Sequence, residues 1–160
     1  MRSPHKGRFS PKNPQKYNGD PTAIVYRSAM ELRLMKYLDE NTNVIEWQSD
    51  VVEKNKDGKP NGFAVPYRSP IDNRIHRYYP DMIAKVRNPD GAERILMIEV
   101  KPESQTKEPK KPKKRTRRYI EEVVTWGINQ AKWKSARELC EHHGWEFKLI
   151  TEKELGISYK

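Results

Sequence analysis

Asp81 follows Pro80, and 18 positions later comes Glu99-Val100-Lys101. The second element closes an apolar run, Ile95-Leu96-Met97-Ile98. Two carboxylates able to share a divalent cation, with a lysine beside them, are the apparatus of metal-dependent phosphodiester hydrolysis. Hard oxygen donors of this kind suit magnesium, with manganese as the alternative. On a strand, successive side chains point to opposite faces. Glu99 and Lys101 then share one face, while Leu96, Ile98 and Val100 anchor the other. Read alone, Glu-x-Lys on a strand also fits a solvated cross-strand ion pair.

The elements that must position these groups follow from periodicity. Residues 24–40 read as an amphipathic helix, with Asp20 or Thr22 as cap and Pro21 in the first turn. Ile24, Leu34, Met35 and Leu38 fall on its apolar side. Glu31 falls in the middle of that side, where a carboxylate needs a metal or a buried partner. A structural ion pair with Arg27 is the other reading of Glu31. Strands are expected at 44–53, 63–67, 75–86 and 94–101, with a loop at 54–62. Asn88-Pro89-Asp90-Gly91 is a hairpin turn signal that pairs the Asp81 strand antiparallel with the Glu99 strand. Asp81, Glu99 and Lys101 then converge at the end far from the turn. A long helix is expected over 119–143, with Ile120, Val124, Ile128, Ala131 and Ser135 inward and Gly144 as its stop. A strand at 145–150 and a short helix at 151–155 complete a mixed α/β domain: a central mixed sheet flanked by helices.

The chain has 160 residues, enough for one domain with a core. Only 34% of them are hydrophobic, so that core is modest. No apolar run approaches the ~20 residues that span a bilayer, and the first residues lack the hydrophobic stretch of a secretory signal. The single Cys140 excludes an internal disulfide or a cysteine zinc cluster, and it reads as a buried structural thiol in the long helix. These features fit a cytoplasmic setting and no membrane partner.

The net charge of +10 is unevenly spread. Residues 1–17 hold five Lys or Arg and no acid. Residues 107–118 hold eight basic residues against one Glu. Such runs suit contact with a phosphate backbone, which gives affinity without sequence information; a solvated, disordered arm is the other reading. Residues 1–22 read as an extended basic arm, 23–160 as one domain, and 104–118 as a basic flexible segment within it. Lys110, Lys111, Lys113, Lys114, Arg115, Arg117 and Arg118 are therefore candidate DNA contacts. Arg77 and His76, just before Tyr78-Tyr79-Pro80-Asp81, are candidates for phosphate contact, though His76 also reads as a plain surface residue. Charge alone would equally suit an RNA-binding protein, but that reading leaves the carboxylates and Lys101 unexplained.

Pro80-Asp81 and Glu99-Val100-Lys101 resemble the two signature elements of the PD-(D/E)xK nuclease superfamily, and Glu31 resembles the extra helix acid that many members carry. Several runs resemble, more specifically, the head completion nucleases of tailed bacteriophages: GRFSPKNPQKYNGDP, YRSAMELRLMKYLD, SPIDNRIHRYYPD, IEVKPESQT and NQAKWKSARELCEHHGWEFKLITEKEL. The early part is also similar to the nuclease subunit of Tn7-type transposases. The resemblance implies a restriction-endonuclease-like core and a magnesium-dependent DNA endonuclease or exonuclease. It implies that Glu31, Asp81 and Glu99 hold metal and that Lys101 orients the attacking water. Gln130 resembles a helix glutamine that some subfamilies place near the site, with a structural hydrogen bond as the alternative. Lys132 and Lys134 either contact phosphate or are simply exposed. The implied setting is phage assembly in the host cytoplasm, with double-stranded DNA and portal, neck or capsid proteins as partners. A catalytically inactive protein of the virion that binds DNA ends or the capsid is the competing function.

Overall fold

The computed structural model describes residues 6–49 and 64–156. The expected loop at 54–62, and the ends of two expected strands at 50–53 and Phe63, lie outside the described residues. Eight strands and two α-helices are described: β1 (Gly7–Arg8), β2 (Val25–Tyr26), α1 (Ala29–Glu40), β3 (Val44–Ser49), β4 (Val65–Arg68), β5 (Ile75–Tyr78), β6 (Met82–Arg87), β7 (Glu93–Val100), α2 (Arg117–His143) and β8 (Glu146–Ile150).

The central sheet runs β3-β6-β7-β8. β3, β6 and β7 are antiparallel neighbours, and β8 joins β7 in parallel, so the sheet is mixed as expected. Its faces are covered by different helices. Ile98 and Val100 point into a cluster with Met30, Leu34, Met35 and Leu38 of α1 and with Trp47 of β3. Met97 points the other way, toward Ala136 and Cys140 of α2 and toward Val65, Tyr67 and Tyr78 of the β4–β5 hairpin. The period of two in β7 thus sorts one strand between two cores. Cys140 is fully buried, as its sequence context suggests.

The expected single strand at 75–86 is two strands. β5 pairs with β4 in a separate two-stranded sheet, while β6 belongs to the central sheet. Pro80 lies between them and has no N–H to give to a ladder, so the chain changes sheets there. The Asn88–Gly91 turn forms as expected: Gly91 adopts φ 86° and its N–H reaches Asn88 O at 2.9 Å.

Both helix starts differ from the sequence reading. α1 begins at Ala29, with Ser28 as N-cap accepting from Glu31 N at 3.0 Å. The chain before it is extended because Val25 and Tyr26 pair with Arg8 and Gly7. Asp20 instead closes a local turn, accepting from Thr22 N at 2.9 Å. α2 starts at Arg117 with Thr116 as its cap and ends on Gly144 at φ 72°. Its buried positions are Asn129, Trp133, Ala136 and Cys140. Ile128 and Ala131 are partly buried and Ser135 half-buried. The expected inward residues Ile120 and Val124 are exposed, because the first turns of α2 run beyond the sheet. Residues 151–155 form turns rather than a helix.

The segment read as an extended arm is docked over its described part. Phe9 enters the α1 core, and Tyr17 bridges Trp47 of β3. A Cβ at Gly7 would lie 2.5 Å from Tyr26 Oη, so a larger residue there would push the Tyr26 ring aside. Asp39, 1% exposed at the end of α1, fastens the rest. Its carboxylate accepts from Lys12 N at 2.8 Å and Asn13 N at 2.9 Å, and Lys16 Nζ binds its carbonyl at 3.0 Å. Asp39→Ala leaves two backbone donors without their charged acceptor, an expected loss of about 3 kcal/mol. Chemical denaturation of the two proteins checks this.

Candidate active site

Where β6 and β7 run side by side, the ends far from their turn carry the acidic groups. Met82 sits opposite Ile98, which brings Asp81, one residue earlier, alongside the end of β7. Asp81 Oδ2 accepts from Val100 N at 2.8 Å, so the backbone of β7 orients the first carboxylate. Glu99 is buried at 6% exposure on the α2 side of the sheet. One of its oxygens, Oε2, accepts a short hydrogen bond from the Tyr78 hydroxyl. The other, Oε1, lies 3.8 Å from Lys101 Nζ. Lys101 is on the same face as Glu99, as strand alternation requires, and its N–H is held by Ile150 O of β8 at 3.0 Å.

The two carboxylates share little water. Burial pushes Asp81 upward, and the adjacent charge of Glu99 adds to this. Burial also raises Glu99, against the stabilising effects of the Tyr78 hydroxyl and the Lys101 and Lys132 charges. Burial and the neighbouring Glu99 charge keep the Tyr78 hydroxyl protonated well above its ordinary range, so it stays a donor. Lys132 arrives from α2, its Nζ 5.7 Å over the ring of Tyr78 and 5.8 Å over that of Tyr67. A pair of hard oxygen donors held together where both charges are costly is a donor set that a divalent cation would relieve.

The structure brings together Asp81, Glu99 and Lys101, with Lys132 nearby. Glu31 occupies the first turn of α1, and its Oε2 accepts from Arg27 N at 3.0 Å. Among the described residues, no three His, Cys, Asp or Glu side chains are grouped to hold one ion. His76 is exposed and bound to Asp72 at 2.8 Å, with its ring 5.8 Å from that of Tyr67. Gln130 is half-buried on the other flank of α2, about 200° around the helix from Lys132. Arg77 and Lys134 are exposed. Lys110, Lys111, Lys113, Lys114 and Arg115 are exposed in a segment without regular structure. Arg117 and Arg118 differ from them: they lie inside α2, paired with Glu121 at 3.2 Å and Glu122 at 3.1 Å. Sequence reasoning missed Tyr78. Its signal was its type: Tyr78 closes an otherwise exposed strand with an aromatic ring, whose large apolar area favours burial.

Residues 41–152 match the family described as TnsA-like endonuclease N terminal. The chain belongs to this family. It is also 34% identical over 152 residues to the head completion nuclease of Enterobacteria phage T4, a match covering 92% of this chain and 91% of that relative. The PD-(D/E)xK resemblance carried by Pro80-Asp81 and Glu99-Val100-Lys101 agrees with both matches, and the mixed sheet with flanking helices is the restriction-endonuclease-like fold that the family implies.

The raised Asp81 carboxyl has a consequence for stability. A carboxyl whose pKa is higher in the folded state favours folding below its unfolded value, and that contribution is lost as pH rises through the folded value, about 7. In EDTA, the melting temperature of the parent is therefore expected to fall between about pH 4 and about pH 7 relative to that of Asp81→Asn, by roughly 3 °C or more. Thermal melts of both proteins across this range check the difference. Parallel curves would remove the proposed strain between the carboxylates.

Proposed function

We propose that this protein is a metal-dependent deoxyribonuclease that acts in phage head completion. One observation carries the reading: a half-buried and a buried carboxylate, Asp81 and Glu99, side by side with a lysine at the end of β7, in a chain that belongs to an endonuclease family. The setting is proposed from the relative named head completion nuclease, and with it the host cytoplasm as the place of action.

In this reading Asp81 and Glu99 hold magnesium, or manganese in its place. Glu31 is the third acidic group, on the strength of the family pattern rather than a described contact. A bound cation supplies a water of lowered pKa and neutralises charge that develops on the phosphate. The protein's own part is orientation. Val100 N–H aims Asp81, and the Tyr78 hydroxyl and Lys101 engage the two oxygens of Glu99. Lys101 directs its positive charge at the attacking water and the scissile phosphate. Lys132 adds a second positive charge from α2. His76, tied to Asp72, and Gln130, turned to the far flank of α2, have no step in this mechanism.

Exposed cations spread the contact with DNA away from the chemistry. Lys110, Lys111, Lys113, Lys114 and Arg115 carry most of it, since Arg117 and Arg118 are partly neutralised within their own helix. Arg77 and Lys134 add to it, and double-stranded DNA is the substrate that such a phosphate-binding surface suits. Portal, neck or capsid proteins would be met in the same setting.

Cleavage of linear and supercoiled plasmid tests the chemistry. Cutting is expected with magnesium and not with EDTA. Asp81→Asn, Glu99→Ala and Lys101→Ala are expected to lose at least ~100-fold in rate while staying folded. Glu31→Gln keeps an acceptor for Arg27 N–H and is expected to lose at least ~10-fold. DNA binding by the parent without any cutting would instead favour a structural protein that binds DNA ends.

Deleting residues 110–115 is expected to weaken DNA binding and to flatten its dependence on salt, because fewer phosphates are then neutralised and fewer counterions released on binding. Binding isotherms at several salt concentrations measure the slope. An unchanged slope would assign the segment to another partner.

A further inference from the structure

Tyr78 reaches the site from outside the sheet that carries the carboxylates. It closes β5 of the small hairpin sheet, whereas Glu99 belongs to the central sheet. Pro80 makes this possible, since the chain leaves one sheet at Tyr78 and enters the other at Met82. The ring is 5% exposed and packs in the α2 core. Its hydroxyl donates to Glu99 Oε2, while Lys101 stands by Oε1. Each oxygen of a single carboxylate is therefore engaged by a different partner, and rotation of the carboxylate would break the Tyr78 bond. A buried tyrosine hydroxyl needs a partner, and a buried carboxylate needs donors. Here each need meets the other across two sheets.

We propose that Tyr78 is a positioning residue of the nuclease site: its hydroxyl fixes the rotation of Glu99 so that Oε1 faces the cation and Lys101. This rests on the proposal that Asp81 and Glu99 hold a divalent ion. Groups that orient a ligand from behind contribute about 10- to 100-fold to metal affinity or activity. Tyr67 is the internal control. It lies beneath the same Lys132 ammonium, but no hydrogen bond joins it to Glu99 among the described residues.

The test is titration calorimetry with Mn²⁺ on the folded full-length protein, free of DNA. Tyr78→Phe keeps the ring and removes one oxygen. It is expected to bind Mn²⁺ about 10-fold more weakly, while Tyr67→Phe stays within about 2-fold of the parent. A variant with p-aminophenylalanine at position 78 restores a donor at the ring's end and is expected to recover most of the loss. This variant also keeps the test open if Tyr78→Phe proves too unstable to titrate. Mn²⁺ affinity equal to the parent's in Tyr78→Phe, with binding abolished in Asp81→Asn, would overturn the role of Tyr78 and leave the metal site standing. Equal binding by the parent and Asp81→Asn would overturn the metal site and this proposal with it.

Discussion

Two carboxylates in one poorly hydrated corner repel each other, and each also resists the loss of water. Asp81 and Glu99 are in this position, and much of the surrounding structure answers it. Val100 N–H and the Tyr78 hydroxyl are donors aimed at the pair, and Lys101 and Lys132 are cations placed beside it. None of these groups removes the strain fully, since both carboxylates stay above their ordinary range. A divalent cation between the two carboxylates would relieve that strain. This tension between fold and function is common where charges are gathered for catalysis.

The break at Pro80 is the architectural device that allows the arrangement. An uninterrupted strand from Ile75 to Val86 would have kept Tyr78 in the central sheet with Asp81. With the strand split, Tyr78 approaches from the hairpin packed under α2, and Asp81 caps the edge of β6. The donor to Glu99 and the carboxylate beside it thus come from consecutive segments that belong to different sheets. The hairpin also packs on α2: Val65, Tyr67 and Tyr78 share a core with Ala136 and Cys140. Lys132, on the same helix, is carried to the site by that packing.

Charge is divided along the chain by the same logic of burial. Asp39 is buried, and its two carboxylate oxygens are taken by the backbone N–H groups of Lys12 and Asn13. It turns the described part of the basic N-terminal segment into a strap across the α1 core. The cations at 110–115 are exposed at the surface. Beyond them, Ile120, Val123 and Val124 leave an apolar stripe exposed on the first turns of α2.

Much of this could be read in the chain itself. Strand alternation in an apolar run put Glu99 and Lys101 on one face, and the Asn-Pro-Asp-Gly turn set the antiparallel pairing that brings Asp81 to them, because both depend on local geometry alone. Family membership was legible for the same reason, since contiguous motifs carry it. Other features depended on partners distant in sequence. Val25 became a strand because Arg8 lay beside it, not because its own periodicity changed. Ile120 and Val124 kept a helical stripe but found no sheet beneath them. Glu31, apolar-facing by the helical wheel, took up a bond to Arg27 N–H in the first turn of α1. Tyr78 could not be recognised as the partner of Glu99, because a hydrogen bond between two sheets is set by how the sheets pack. Local rules determine which side chains share a face; only the tertiary structure decides what that face meets.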